Sequence, residues 1–283
     1  MAQIAFLGTG MIGAGMVESM LRRGDTVAVW NRTASKATAL EALGATVAPT
    51  PEEAVASAER VHMALPDDAV VDALMARVSS RLRKGVIVVD HSTTLPARTK
   101  ERLLESAKQG IRFVHAPVFM SPQMCRDAAG LMLVSAAERN WEEVRPALEK
   151  MTGHVWYLGE RPDLAAVYKL FGNSMLFVLA GGVADVLALA KATGVPPTEA
   201  IGLFTKFQVG NMITVRGQKM AAGDFSASFA MSMARKDMRL MLETAAGQPL
   251  TVLPAIAARM DAAIARGHGT DDLGAITADI IVR

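Results

Sequence analysis

Short β-branched and apolar runs alternate with longer amphipathic segments through the first half of the chain. Gln3-Ile4-Ala5-Phe6-Leu7 predicts a strand, and residues 11–23, with apolar positions at helical spacing, predict the helix after it. Thr26-Val27-Ala28-Val29-Trp30 predicts a second strand. Arg60-Val61-His62-Met63-Ala64-Leu65, stopped by Pro66, and Val86-Ile87-Val88-Val89, stopped by Asp90, predict two more, with helices following at 67–77 and 96–109. Such alternation requires parallel strands joined by helical crossovers, hence an α/β fold with a doubly wound, mostly parallel sheet. Further short strands are expected at Arg112–His115, Leu131–Val134 and 155–158. From Asp163 the pattern is helical throughout, broken at Val195-Pro196-Pro197, Gly210, Gly223, Gln248-Pro249 and Gly267-His268-Gly269. Two domains are therefore expected: an α/β domain over residues 1–162 and an all-α domain over 163–283.

The turn after the first strand carries the most specific motif. Gly8-Thr9-Gly10-Met11-Ile12-Gly13 is a G-x-G-x-x-G between a strand and a helix, the pattern of a dinucleotide-binding Rossmann unit. The first glycine makes the tight turn, the second admits a pyrophosphate to the backbone, and the third lets the helix pack on its strand, with the helix N-terminus facing the phosphates. An NAD-selective site usually carries an acid about 20 residues further on, at the end of the second strand. Here that strand ends in Asn31-Arg32-Thr33. A planar cation flanked by polar side chains suits a ribose 2′-phosphate that an acid would repel, so NADP(H) is the expected cofactor.

Residues 174–190 are almost wholly apolar, but Gly181, Gly182 and Asp185 interrupt them and the run is shorter than the roughly 20 apolar residues a bilayer core needs. A buried helix through a domain interior or a subunit interface is expected, and no membrane partner. The 283 residues suffice for one large or two medium domains, and with 51% hydrophobic and 20% charged residues disorder is not expected. A net charge of +2 without a basic run makes nucleic acid an unexpected partner. The lone cysteine, Cys125, excludes an intramolecular disulfide, and with no signal-peptide pattern at Met1-Ala2-Gln3 a cytoplasmic location is expected. His62, His91, His115, His154 and His268 are far apart in sequence and form no helical ligand pair, so no metal site is expected.

Open α/β sheets bind ligands beyond the carboxyl ends of their strands. The residues there are Leu65-Pro66-Asp67, Asp90-His91-Ser92-Thr93-Thr94-Leu95-Pro96 and Ala116-Pro117-Val118-Phe119-Met120-Ser121. Ser92 and Thr93 offer hydroxyls to a nicotinamide or substrate oxygen, or cap the helix beginning near Pro96; both roles can coexist. In the helical part, Lys169 and Asn173 share a helix face among Leu170, Phe171, Leu176 and Phe177. A lysine desolvated there has a lowered pKa and can deliver a proton near neutrality, whereas one that snorkels to solvent does neither.

Taken in order, the glycine turn with Met16, Val29-Trp30-Asn31-Arg32-Thr33, Leu65-Pro66, Val89-Asp90-x-Ser92-Thr93-x-x-Pro96, Ala116-Pro117-Val118, Lys169-x-x-x-Asn173 and Lys236-Asp237 resemble the β-hydroxyacid dehydrogenase family. That family includes 3-hydroxyisobutyrate dehydrogenases, tartronate semialdehyde reductases and glyoxylate/succinic semialdehyde reductases. The resemblance spans nearly the whole chain. It implies that Lys169 is the catalytic lysine, Asn173 its substrate-contacting neighbour and Lys236 a cofactor-side lysine reaching back from the helical domain. It also implies a homodimer or homotetramer packed through that domain. On this basis Leu65, Pro66 and Thr93 join the cofactor set of Gly8 to Gly13 and Asn31 to Thr33, while Ser92, Val118, Phe119, Met120, Ser121 and Asn173 form the substrate set.

Two departures bear on the substrate. After Ala-Pro-Val the family typically has Ser-Gly-Gly or Ser-Gly-Ser to hold a carboxylate, where this chain has Phe119-Met120-Ser121. Large apolar side chains there crowd an amide nest and favour a less polar substrate. The usual glycine-rich lead-in to the catalytic helix is replaced by Arg161-Pro162-Asp163-Leu164-Ala165-Ala166, and Leu-Ala-Ala-x-Tyr168 resembles the imine reductases, which usually carry Asp or Tyr where this chain has Lys169. Three functions stay open: NADPH-dependent reduction of a small semialdehyde or oxidation of its β-hydroxyacid, with Lys169 as proton donor or acceptor; reduction of an apolar cyclic imine; and a non-catalytic cofactor-binding scaffold.

Overall fold

The computed structural model describes residues 4–281, so Gln3 of the first expected strand lies outside the described residues. β1 (Ile4–Leu7) runs into α1 (Met11–Arg22), and β2 (Val27–Trp30) is followed by the short α2 (Ala34–Thr38), β3 (Thr46–Val47) and α3 (Pro51–Val55). β4 (Arg60–Met63), α4 (Asp68–Val78), β5 (Ile87–Asp90), α5 (Pro96–Lys108) and β6 (Arg112–His115) complete a six-stranded parallel sheet in the order β3-β2-β1-β4-β5-β6. Strand order reverses beside β1, between the two halves, which places the crevice of such a sheet at the carboxyl ends of β1 and β4.

Both faces of this sheet are covered. Ile4, Phe6, Val29, Ile87, Val89 and Val114 pack with Met16 and Met20 of α1 on one side. Leu7, Val61, Met63 and Val88 pack with Val55, Val71, Leu74 and Val78 on the other. Alternate residues of each strand enter opposite cores, so the strands read as continuous apolar runs instead of alternating ones.

A second, three-stranded sheet follows. β7 (Val118–Phe119) pairs antiparallel with β8 (Leu131–Val134), which pairs parallel with β9 (His154–Tyr157); α6 (Pro122–Arg126) and α7 (Glu138–Leu148) lie between them in sequence. The expected strands at Leu131–Val134 and 155–158 are thus present but belong to this small sheet. β3 and β7 carried no expectation, since two-residue strands are too short to show a period, and α7 carried none either. Residues 64 and 65 leave the third expected strand, which ends at Met63.

The chain divides into two compact units, residues 1–173 and 174–283, within the 30-residue helix α8 (Leu164–Thr193). The second unit continues with α9 (Pro197–Gly202), α10 (Asn211–Ala222), α11 (Met231–Thr244) and α12 (Leu253–Ala263); α11 and α12 pack around Met231, Met238, Ala257, Met260 and Ala275. Asp185 of α8 accepts from the amides of Thr251, Val252 and Leu253 and so caps the start of α12.

Of the two expectations for residues 174–190, burial in the interior of this chain is corrected for residues 174–180. Every residue from 174 to 180 is exposed, Leu176 at 56% and Phe177 at 73%. Two full turns stand uncovered because the apolar side chains point all round the helix while no described residue covers this stretch. By length and composition alone α8 is long and apolar enough to cross a membrane.

Candidate active site

Main-chain hydrogen bonds continue one residue beyond each strand and align the loops at the carboxyl edge. Gly8 N donates to Trp30 O (2.9 Å), Ala64 N to Leu7 O (3.0 Å), His91 N to Met63 O (2.8 Å) and Ala116 N to Asp90 O (2.7 Å). Above this row opens a crevice of about 930 Å³.

The glycine turn has the three features that a dinucleotide needs. Gly8 has φ +96°, a conformation costly for any residue with a Cβ, and a Cβ there would run into the Ala64 carbonyl oxygen. A Cβ at Gly13 would collide with the Gly8 carbonyl oxygen and the Phe6 ring, so α1 packs on β1 as closely as it does only because none is present. Around Gly10 nothing lies within 4 Å of the Cβ position, leaving open space at the N-terminus of α1, whose first turn carries no acidic residue. Thr9 is buried with its hydroxyl oxygen unpartnered. Met11, Ile12, Leu65, Pro66, Ser92 and Thr93 line the same crevice.

At the end of β2, Arg32, Thr33 and Lys36 are exposed and line the crevice together. Lys36, on α2, adds a second cation that carried no sequence expectation. Asn31 lines the crevice too, but its side chain is engaged: Oδ1 accepts from Thr9 N (3.0 Å) and Nδ2 donates to Thr33 O (2.9 Å), bracing the glycine turn against the β2 loop. Beside them Arg77 lies 5.7 Å over the Trp30 ring and bonds Glu52 through Nε and Nη2 (2.9 and 3.0 Å).

Neither Ser92 nor Thr93 caps α5, whose N-cap Leu95 makes no side-chain bond; the capping expectation is corrected. Ser92 is buried, and its Oγ accepts from Leu65 N (2.9 Å), tying the β4 loop to the β5 loop, while Thr93 is exposed to the crevice.

Lys169 enters from α8. The helix start is held by Ala165 N donating to Ser135 Oγ (2.8 Å), with Ala165 and Ala166 buried. Lys169 is only 9% exposed, its Nζ donates to Val118 O (2.8 Å), and it sits 4.1 Å over the Phe119 ring. Burial lowers its pKa from the usual lysine value. It therefore does not snorkel to solvent. The Phe119 ring rests against α8 at Gly172, where a Cβ would strike it.

Val118 and Met120 line the crevice with Lys169. Phe119 acts behind them, on the ammonium. Ser121 is drawn away: its Oγ accepts from Met124 N (3.2 Å) as the cap of α6, and its amide faces Met124 Sδ (3.5 Å). Asn173 is half-buried one turn beyond Lys169, and Lys236 belongs to the second unit, 2.7 Å from an Asp237 carboxylate oxygen. Among the described residues no group of three potential ligands is gathered that could hold a metal.

Residues 3–159 match the NAD binding domain of 6-phosphogluconate dehydrogenase, and residues 164–278 match the NAD-binding domain of NADP-dependent 3-hydroxyisobutyrate dehydrogenase. The chain belongs to the 3-hydroxyisobutyrate dehydrogenase family. As a member of that family it is an NAD(P)-dependent oxidoreductase. It is 25% identical over 282 residues to 2-(hydroxymethyl)glutarate dehydrogenase of Eubacterium barkeri, covering 97% of this chain and 93% of that one. It is 28% identical to glyoxylate/succinic semialdehyde reductase 2 of Arabidopsis thaliana, covering 95% and 76%. It also matches the human cytokine-like nuclear factor N-PAC (29% identical over 85% of this chain), but spans only 44% of that protein's length. The imine reductase of Myxococcus stipitatus in complex with NADP+ shares the fold, with a TM-score of 0.91 at 21% identity, covering 98% and 99%.

Proposed function

We propose that this family member is a cytoplasmic NADPH-dependent reductase of small aldehydes or ketones, semialdehydes among them, or in reverse a β-hydroxyacid dehydrogenase, with Lys169 as proton donor or acceptor. The observation that carries the reading is the Lys169 ammonium: buried, aimed into the crevice, held by a carbonyl rather than a carboxylate, and with its pKa lowered by burial. When bound, the nicotinamide supplies the hydride. Lys169 gives its proton to the substrate oxygen, Ser92 and Thr93 offer hydroxyls to it, and Asn173 extends the same helix face toward the substrate. Arg32, Thr33 and Lys36 hold the 2′-phosphate, and Gly10 and the α1 N-terminus hold the pyrophosphate. Lys236 is the cofactor-side lysine of the helical domain, residues 163–283. The exposed turns of α8 are read as the surface of a homodimer or homotetramer.

A second reading, reduction of an apolar cyclic imine, is favoured by one feature: Phe119 covers the lysine, and Ser121, which would hold a carboxylate, is turned to Met124 as the cap of α6. NADPH oxidation measured with succinic semialdehyde, glyoxylate, an uncharged aldehyde and a five-membered cyclic imine separates the readings. Turnover of the carboxylate-bearing aldehydes supports the first, and turnover of the imine alone the second. Lys169→Ala is expected to lower kcat by about 10²–10⁴-fold while NADPH affinity is kept. Near wild-type turnover in that variant refutes the role of Lys169.

A further inference from the structure

Four polar groups thread the interior of the first unit in a line that the chemistry above does not use. Arg60 Nε lies 2.8 Å from His62 Nε2, His62 Nδ1 lies 2.9 Å from His91 Nε2, and His91 Nδ1 lies 2.8 Å from the Ala116 carbonyl oxygen. The two imidazoles are buried and stacked at 5.2 Å between ring centroids, with Phe6 stacked on both.

We propose that Arg60, His62 and His91 form a hydrogen-bond chain of fixed direction that positions the Ala116-Pro117-Val118 turn and, through the Val118 carbonyl, the Lys169 ammonium. The direction follows from the end groups. A carbonyl oxygen can only accept, so His91 carries its proton on Nδ1, and a neutral ring then has a bare Nε2. That atom accepts from His62 Nδ1–H, which leaves His62 Nε2 bare for the guanidinium N–H of Arg60, a group that can only donate. Donor and acceptor requirements at the two ends agree on one tautomer for each ring. Burial keeps the His91 pKa at about 4 and that of His62 well below its usual value, so neither ring charges near neutrality and breaks the order.

The turn is held at successive residues. Ala116 O accepts from His91, Pro117 O accepts from Leu133 N (2.9 Å), and Val118 pairs with Met132 of β8. The Val118 carbonyl is thereby left to receive Lys169 Nζ. His91 acts through the turn and is a positioning residue.

The kinetic part rests on reading Lys169 as the proton donor; the tautomers do not. In the wild type, 15N NMR of labelled histidine is expected to show His62 and His91 as neutral Nδ1–H tautomers near neutral pH. A Nε2–H tautomer at His91 overturns the proposal without any variant. His91→Asn keeps an amide donor at the Nδ1 position, whereas His91→Gln moves it to the Nε2 position. The Gln variant is expected to lose about tenfold in kcat with NADPH affinity unchanged, and the Asn variant to stay within about threefold of the wild type. Equal kcat in the two variants, with Lys169→Ala inactive, overturns the positioning role alone. Turnover retained in Lys169→Ala overturns the proton-donor reading and the positioning role with it.

Discussion

At the scale of single residues the crevice sorts charge by position. Arg32 and Lys36 stand exposed at the end of β2 with no acid in the place where an NAD-selective strand usually carries one. A charge-assisted phosphate contact is worth about 1.5–3 kcal/mol, so Arg32→Ala is expected to weaken NADPH binding by roughly 10–100-fold and leave NADH binding nearly unchanged. Titration of each cofactor against the variant checks this, and an equal loss for both would assign Arg32 to something other than the 2′-phosphate. The same sorting explains Asn31: its amide is spent on Thr9 and Thr33, so its contribution is to the shape of the phosphate cradle. Lys169 differs from both cations because desolvation, not pairing, governs it.

At the scale of elements, α8 performs two tasks along its length. Its first turns are packed, with Ala165 and Ala166 buried and Lys169 directed at Val118. Further on, the exposed turns present Leu176, Phe177, Val178 and Leu179. Burying a side chain such as Phe177 against a second copy of the chain is worth about 1.5–3 kcal/mol per protomer. Light scattering is expected to give a dimer or tetramer for the wild type, and Phe177→Asp is expected to shift it toward monomer at micromolar concentration. A monomeric wild type would remove the oligomer reading. The short elements around the site have a comparable division of labour: β7 is only Val118–Phe119, yet its pairing with β8 sets the carbonyl that meets the lysine and the ring that covers it.

At the scale of the whole molecule, three imidazoles are buried in one sheet region. Burial pulls the pKa of His91 to about 4 and that of His115 to about 3, and that of His62 well below its usual value. Each is neutral when folded, whereas unfolded histidine titrates near 6.5, so between these values the unfolded chain binds the extra protons. Stability is therefore full above about pH 6.5 and falls as pH drops toward 4, by on the order of 1.4 kcal/mol per pH unit for each histidine in that window. Urea melts between pH 7 and 4.5 are expected to show this slope, reduced by about one proton in His91→Asn. A flat profile would mean that the rings are not buried as neutral groups.

The α/β order, the glycine turn, the cationic end of β2, the helical breaks and the Lys169–Asn173 pair were legible in the chain by itself, because each depends on residues close in sequence: a period, a turn, a helical spacing of four. Backbone sterics and local spacing act over a few residues, and a string of residues displays them. What only the tertiary structure decided depends on residues far apart. His62 and His91 looked unrelated in sequence, and strand pairing of β4 with β5 brought their rings together. That Ser92 Oγ also braces the β4 loop to the β5 loop, and that Ser121 caps α6, was decided by contacts the sequence does not display. The apolar run in α8 announced burial but not by what, since hydropathy records a preference for leaving water and says nothing of which surface, in this chain or another, will cover it.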